Sequence, residues 1–151
     1  MSINVFSLYY SILKLNYPVN MNSQKKLIAI LAILFFSATV SAQQASPPEL
    51  VDVAQAQKLS TQGTLLLDVR EQDEYDEIHA PNATLIPLGQ LSSRLAEIAD
   101  YKDKPVVVVC RSGKRSLKAA TMLQEIGFSH VSSVNGGMIA WDNAGLEVIK
   151  K

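Results

Sequence analysis

The sequence predicts an α/β domain with a small, mostly parallel central sheet and helices on both faces. Apolar runs of strand length alternate with segments of helical spacing from residue 43 onward. Val106–Val109 is a run of four β-branched residues, which is typical of a strand buried on both faces of a parallel sheet. The chain has 151 residues, of which 48% are apolar, and this allows one domain with a single core.

The first elements of the domain are a helix and a strand. Asp52 is placed to cap a helix that runs to about Ser60, with apolar residues along one side. Gly63 ends this helix, and Thr64–Val69 is an apolar run of strand length. Residues 43–48 are polar and end in proline, so we expect a linker there and a domain over residues 49–151.

The second half of the domain continues the alternation. Leu88–Ala99 and Ser116–Ile126 carry apolar residues at helical spacing, which predicts two helices that flank the Val106–Val109 strand. Val131–Val134 is a further short strand, and Gly136–Gly137 predicts a turn before the last helical segment. These elements complete the predicted sheet and its helical layers.

Residues 1–42 are typical of a secretory signal peptide. Two lysines precede Leu27–Phe36, a run without a polar residue, and Val40–Ala42 offers a small-residue cleavage site. The apolar stretch spans about 14 residues, whereas a transmembrane helix needs roughly 20. We therefore expect export to the periplasm with cleavage near Ala42, no membrane anchor, and translation from Met21.

Charge and cysteine content exclude several classes of protein. The 14 basic and 14 acidic residues are too balanced for a nucleic-acid binder. Without residues 1–42, which hold three lysines and no acid, 11 bases face 14 acids. The single cysteine excludes an internal disulfide and a multi-thiolate metal site. Since Gln43 follows the cleavage point, a lipid anchor is not expected either, and the exported chain keeps a free thiol.

That cysteine begins the segment that carries chemistry. Cys110 directly follows the Val106–Val109 strand, and the residues after it form a polar turn before a helix. In open α/β sheets, ligands bind beyond the carboxyl ends of the strands. Backbone N–H groups of such a turn, together with those of a helix N-terminus, form a cradle for negative charge.

The charge of this segment favours an ionised sulfur. Arg111, Lys114 and Arg115 follow Cys110, with no acidic residue before Lys118. Cationic neighbours and N–H donors lower the pKa of a thiol below its free value of about 8.5. The alternative is a buried structural cysteine, which such a polar turn disfavours. We therefore predict a nucleophilic thiolate that solvent can reach.

The segment Cys110–Ser116 resembles the active-site loop of the rhodanese-like sulfurtransferases, and the resemblance extends over roughly residues 49–149. Flanking stretches match further motifs of the family in the family's order. These stretches are Leu67–Arg70 with Glu74–Tyr75, His79–Ala83 with Ile86–Pro87, Gly127–Phe128, and Gly136–Gly137 with Ala140–Trp141. Two positions depart from the family pattern, because Ile78 and Asn82 stand where the family usually has glycine. Asparagine tolerates a left-handed backbone, so Asn82 is expected to make the same turn, whereas Ile78 leaves the local path open.

The resemblance implies a rhodanese-like fold and a sulfur-transfer reaction. The thiolate of Cys110 would attack the sulfane sulfur of thiosulfate or a similar anionic donor, and cyanide or a thiol would then remove that sulfur from the persulfide. Metal and organic cofactors are not implied. The implied substrate-binding residues are Arg111, Ser112, Gly113, Lys114, Arg115 and Ser116. Asp68 and Arg70 lie at the end of a predicted strand, and we expect them to support the site as an ion pair and not to act directly in catalysis.

Two other functions are compatible with the same loop. A persulfide carrier or redox module would hold the sulfur for a partner, such as a thioredoxin-like dithiol protein, without efficient turnover of thiosulfate. Cysteine phosphatases and arsenate reductases also use a thiolate in an anion-binding loop, and the phosphatase spacing is C-x5-R. Here Arg115 follows Cys110 after four intervening residues, and this shorter loop favours sulfur over phosphate.

The remaining candidate residues have structural interpretations. We expect His79 to be a hydrogen-bonding strut, His130 to lie in a surface loop and Trp141 to belong to the core. Glu71–Glu77 is expected to be a short solvated helix, since its carboxylates lack the spacing of a calcium loop.

Overall fold

A five-stranded parallel sheet forms the centre of the domain. The computed structural model describes residues 46–151. The strands of this sheet are β1 (Glu49–Val51), β2 (Leu65–Asp68), β4 (Ala83–Leu85), β5 (Val106–Val109) and β6 (Val131–Val134). They lie in the order β1-β6-β5-β2-β4, and every neighbouring pair is parallel. Two further strands, β3 (Ile78–His79) and β7 (Ile149–Lys150), form a separate antiparallel pair.

Helices cover both faces of the sheet, as the sequence predicts. The α-helices are α1 (Val53–Thr61), α2 (Gln72–Glu77), α3 (Lys114–Glu125) and α4 (Gly137–Asn143). Buried residues of α1 and α4 pack in one apolar cluster, and those of α3 and two 3₁₀ helices pack in another. The α/β class and the helical layers on both faces are therefore confirmed.

The central strand β5 separates these two clusters. Val106 and Val108 belong to the cluster under α3, whereas Val107 and Val109 belong to the cluster under α1 and α4. All four valines are at most 1% exposed. Because successive side chains of a strand point to opposite faces, four consecutive apolar residues fit a strand covered on both sides. The prediction made from this run is confirmed.

The cap of the first helix is also confirmed. Asp52 Oδ1 accepts a hydrogen bond from the Gln55 N–H at 2.7 Å, and the helix extends to Thr61. A short edge strand, β1, precedes it and pairs with β6. Three residues with only one buried side chain carry too little periodicity to predict such a strand.

The predicted helix over Leu88–Ala99 is wrong in type. The segment forms two 3₁₀ helices, Leu88–Ser93 and Leu95–Tyr101, which are separated by Arg94. Several of its hydrogen bonds join residues three apart, such as the one from the Glu97 N–H to the Arg94 carbonyl. Gly89 and the two serines before Arg94 weaken α-helix formation here. The buried Leu91 and Ile98 still reach the core, so the predicted apolar side is retained.

The two departures from the family pattern have simple backbone explanations. Asn82 has φ +62°, so it adopts the left-handed conformation that the sequence predicts for it. Ile78 is extended, with φ −159°, and pairs with Lys150 in the small antiparallel sheet. This conformation suits a β-branched residue and does not require glycine.

The predicted signal peptide and the proposed start at Met21 lie outside the described residues. Within residues 46–151, every helix is too short or too polar to span a bilayer.

Candidate active site

Cys110 lies at the carboxyl end of β5, the position that the sequence predicts. Residues 110–113 form the turn, and α3 begins at Lys114, two residues earlier than predicted. The polar turn that the sequence predicts between Cys110 and the helix at Ser116 is therefore shorter, and Lys114 and Arg115 belong to the first turn of the helix. Gly113 makes this possible because its φ of +94° is a left-handed conformation that favours glycine.

The sulfur of Cys110 is turned into the cradle that these residues form. The Gly113 N–H donates to Sγ at 3.2 Å, and the thiol donates to Ser116 Oγ at 3.5 Å. Burial is the largest influence on the pKa of Cys110 and raises it. Hydrogen bonds that the Ser116 hydroxyl and the N–H groups of Ser116, Ser112 and Gly113 give to the ionised sulfur outweigh it, so that the pKa of Cys110 lies below the usual value of a thiol. The site therefore stabilises the thiolate more than water stabilises that of a free cysteine.

Cys110 is more enclosed than the sequence predicts. Only 1% of the residue is exposed, whereas the adjacent Arg111 and Ser112 are exposed. The prediction of an open thiol is wrong for this arrangement, because Sγ points inward to its hydrogen-bond donors. A donor must therefore be small, or the turn must shift to admit it.

Helix α4 packs against the turn at residues 110–113 and binds its carbonyl groups. The N–H groups of Met138 and Ile139 donate to the carbonyls of Cys110 and Arg111 at 2.8 and 3.1 Å. A Cβ on Gly137 would lie 2.2 Å from the Cys110 carbonyl oxygen. Gly137, the first residue of α4, thus permits a contact that no side chain would allow, and the carbonyls of the turn are bound to α4.

Arg115 is paired with an acid that the sequence interpretation did not assign to the site. Its Nη1 and Nη2 donate to the two carboxylate oxygens of Glu74 at 2.7 and 2.6 Å. The hydrogen bonds from Arg115 hold the pKa of the Glu74 carboxyl below its usual value, with burial opposing them. The guanidinium predicted to orient the donor therefore already binds an internal carboxylate.

Asp68 and Arg70 form the predicted ion pair beneath the site. Arg70 Nη2 lies 2.6 Å from Asp68 Oδ2, and both side chains are buried. Arg70 also donates to the carbonyls of Glu74 and Ile78 at 3.2 and 2.7 Å. The pair thus fixes α2, and with it the Glu74 carboxylate that binds Arg115.

The geometry of this turn agrees with the comparison with known families. The family model described as the rhodanese-like domain matches residues 51–144. The chain belongs to this family. The GlpE thiosulfate sulfurtransferase of Pseudomonas syringae pv. syringae is 41% identical over 95 residues, which cover 63% of this chain and 83% of GlpE.

Two further proteins are similar to this chain, one in sequence and one in structure. The YrkF protein of Bacillus subtilis, whose name proposes a sulfur-carrier role, is 36% identical over 102 residues, or 67% of this chain. The rhodanese-like chain spans about half of YrkF, 54% of its length. The crystal structure of a rhodanese-related protein from Thermoplasma volcanium superimposes with a TM-score of 0.62 and 26% identity, covering 68% of this chain and 99% of that one.

The remaining predicted residues of the rhodanese-like domain lie on its surface or in its core. Lys114 is exposed at the start of α3, as is Arg111 in the turn. His79 is stacked on Tyr75 and its Nδ1 lies 2.8 Å from the Tyr75 carbonyl, which fits a strut. His130 is exposed, and Trp141 is 1% exposed in the core. Residues 46–151 bring no three metal-ligating side chains together.

Two site residues have only weak signals in the sequence. Glu74 lies in the short helix that the sequence predicts to be solvated, and its family motif gives no partner. Ser133, whose hydroxyl donates to Ser116 Oγ at 2.8 Å, is a buried polar residue of β6. A serine in a strand whose other inward residues are apolar is the signal that could have indicated it.

Proposed function

We propose that this rhodanese-like domain transfers a sulfane sulfur from thiosulfate, or a similar small anionic donor, to cyanide or a thiol through a persulfide on Cys110. The observation that carries the proposal is the environment of Sγ, which accepts the Gly113 N–H at 3.2 Å and lies 3.5 Å from the Ser116 hydroxyl. These donors favour the thiolate, the nucleophilic form of cysteine.

The first half of the reaction uses the thiolate. Sγ of Cys110 attacks the sulfane sulfur of thiosulfate, an S–S bond forms, and the S–S bond of the donor breaks. Sulfite leaves with the electron pair of that bond. The N–H groups of the turn then lie close to the outer sulfur of the persulfide and hold its negative charge, as an anion cradle does.

The second half regenerates the enzyme. Cyanide or a thiolate attacks the outer sulfur, and the electron pair of the Cys110 persulfide bond returns to Sγ. The product is thiocyanate or an acceptor persulfide. Since one substrate leaves before the other enters, ping-pong kinetics are expected.

Binding of the donor rests on the exposed cations beside the turn. Arg111 and Lys114 are exposed, so they are free to attract a dianion over a range of about 10 Å at moderate salt. Arg115 contributes less charge to an incoming donor while Glu74 holds both of its terminal nitrogens. While the turn keeps this arrangement, the enclosed sulfur also restricts the donor to small molecules.

Persulfide formation on Cys110 is the test of the proposal. Treatment with thiosulfate should add the mass of one sulfur atom to the intact protein, and cyanide should remove it with formation of thiocyanate. Cys110→Ala should abolish both, because this is the only cysteine in the chain. The exposed Thr121→Ala on α3 is the matched control and should keep full transfer. A mass gain that persists in Cys110→Ala would contradict the proposed intermediate.

The carrier function is the second candidate, and the likeness to YrkF favours it. A carrier would form the same persulfide but would release it slowly to cyanide and quickly to a dithiol partner of thioredoxin type. Comparing the rate of thiocyanate formation with the rate of sulfur transfer to a reduced thioredoxin distinguishes the two. A fast cyanide reaction supports the enzyme, and a fast dithiol reaction alone supports the carrier.

We propose in addition that the domain acts in the periplasm after export. The basis is the basic, apolar and small-residue order of residues 21–42. The mature protein purified from a periplasmic fraction should begin near Gln43 by N-terminal sequencing. A mature chain that still begins at Met21 or earlier would contradict cleavage.

A further inference from the structure

A second buried serine lies behind the sulfur cradle. Ser133 on β6 is fully buried, and its hydroxyl donates to Ser116 Oγ at 2.8 Å. Ser116, in the first turn of α3, is also fully buried and lies 3.5 Å from Cys110 Sγ. A buried chain of hydroxyls thus runs from the sheet to the sulfur.

The hydroxyl of Ser116 has a choice of acceptors. It donates to the Gly113 carbonyl oxygen at 3.0 Å, and Sγ is the other acceptor within reach. A hydroxyl has one donor and two acceptor sites. With a thiol at Cys110, Ser116 Oγ accepts from both Ser133 and the thiol and gives its own proton to Gly113. With a thiolate, that proton can turn to Sγ.

Ser133 restricts the hydrogen bonds of the Ser116 hydroxyl, whether Cys110 is a thiol or a thiolate. Its donated hydrogen bond occupies one acceptor site of Ser116 Oγ and polarises the Ser116 O–H bond, which makes it a better donor. Because both serines are fully buried, we expect no water to replace the Ser133 hydroxyl when it is removed, so Ser116 would lose that polarisation.

We propose that Ser133 is a positioning residue that sets the ionisation of Cys110 through the Ser116 hydroxyl. This role rests on the proposed function, because a sulfur-transfer reaction needs the thiolate. It assigns a task to a residue on the neighbouring strand whose hydroxyl bonds to Ser116 and not to the sulfur itself.

The strand itself offers a matched control. Ser132 precedes Ser133, is only half-buried, and points to the opposite face of the sheet because strand side chains alternate. Both serines belong to β6, so their replacement by alanine makes the same chemical change in the same element.

The test is a pH titration of the thiolate by its ultraviolet absorbance, with Cys110→Ala protein as the blank. It reports on Cys110 alone, since the chain has one cysteine. Ser133→Ala should raise the pKa of Cys110 by about half a unit, and Ser116→Ala should raise it by about one unit, as expected for the weakening and the loss of one hydrogen bond. Ser132→Ala should leave the titration unchanged.

The double variant decides whether Ser133 acts through Ser116. In the Ser116→Ala protein, adding Ser133→Ala should give no further shift, because the intermediary hydroxyl is already gone. An equal shift in both backgrounds, or no shift in Ser133→Ala, would overturn the proposal. If Ser133→Ala does not fold, Ser133→Thr and Ser133→Val, which share a shape and differ in the hydroxyl, make the same comparison.

This titration is independent of turnover. If thiosulfate leaves no persulfide on Cys110 but the serine variants shift the titration as described, the proposed function fails, and the effect of Ser133 on the ionisation of Cys110 stands without it. If persulfide forms normally and the serine variants titrate like the wild type, the role of Ser133 fails alone.

Discussion

The catalytic turn is held on two sides by different kinds of contact. On the side of α4, two backbone N–H groups donate to two carbonyls of the turn, and Gly137 touches the turn so closely that a Cβ has no room. On the side of α2, a pair of half-buried side chains, Glu74 and Arg115, makes the contact. The contacts on the α4 side are made by backbone groups, and the contact on the α2 side is an ion pair.

This difference separates the shape of the site from its charge. The α4 side fixes where the carbonyls of the turn point, and therefore leaves its N–H groups for the sulfur. The α2 side fixes how much positive charge Arg115 presents to a donor. We therefore expect changes at Gly137 to affect folding and every substrate, and changes at Glu74 to affect the binding of anions while the fold remains.

The largest effect is expected from Gly137→Ala. The added Cβ would lie 2.2 Å from the Cys110 carbonyl oxygen and 2.7 Å from the Arg111 carbonyl, at a backbone φ of +58°. Overpacking and backbone strain together should lower the free energy of unfolding by more than about 3 kcal/mol. The rate of sulfur transfer should also fall, by a factor that corresponds to at least the same free energy, because the turn must move. Denaturant unfolding and thiocyanate formation measure the two effects.

Gly145→Ala separates the steric clash from the backbone strain. Gly145 also has a positive φ, of +66°, but a Cβ there meets no atom within 4 Å. The strain alone should cost about 1–2 kcal/mol, and transfer should persist in the folded protein. Equal losses in the two variants would show that close packing of α4 against the turn is unimportant.

The α4 side, which sets the shape of the turn, was predictable in part from the sequence. The four valines of β5 and the polar turn after them are local patterns, and they placed Cys110 at the end of a buried strand correctly. The motif with Gly136 and Gly137 predicted a turn. That this turn packs against the Cys110 carbonyl could not be predicted, because the contact joins segments 27 residues apart and depends on the order of the strands.

The α2 side, where Glu74 pairs with Arg115, was not predictable from the sequence. A count of nearby charges made Arg115 a free cation, since no acid follows Cys110 before Lys118. Its partner Glu74 lies 41 residues earlier, on a helix that Arg70 fixes beside the turn. Local counting cannot include an acid that only the fold brings near. The inward turn of Sγ was missed for a related reason, because it depends on Ser116 in the helix that follows.

A smaller effect, of opposite sign, is expected from Glu74→Gln. Loss of the carboxylate releases the guanidinium of Arg115, which then binds a dianionic donor. The KM for thiosulfate should fall by about two- to fivefold at low salt, the size of a partly exposed ion pair, and the gain should shrink at high salt. Initial-rate measurements at fixed cyanide concentration give this value.

Two further variants show whether the gain comes from Arg115 or from net charge alone. Glu77→Gln removes the same charge from the same helix, but its carboxylate makes no ion pair with Arg115, so its KM should change less. Arg115→Gln added to Glu74→Gln should cancel the gain, because no guanidinium is left to release. An equal fall in KM for Glu77→Gln would mean that general electrostatic attraction, and not competition between Glu74 and the donor for one guanidinium, controls donor binding at this turn.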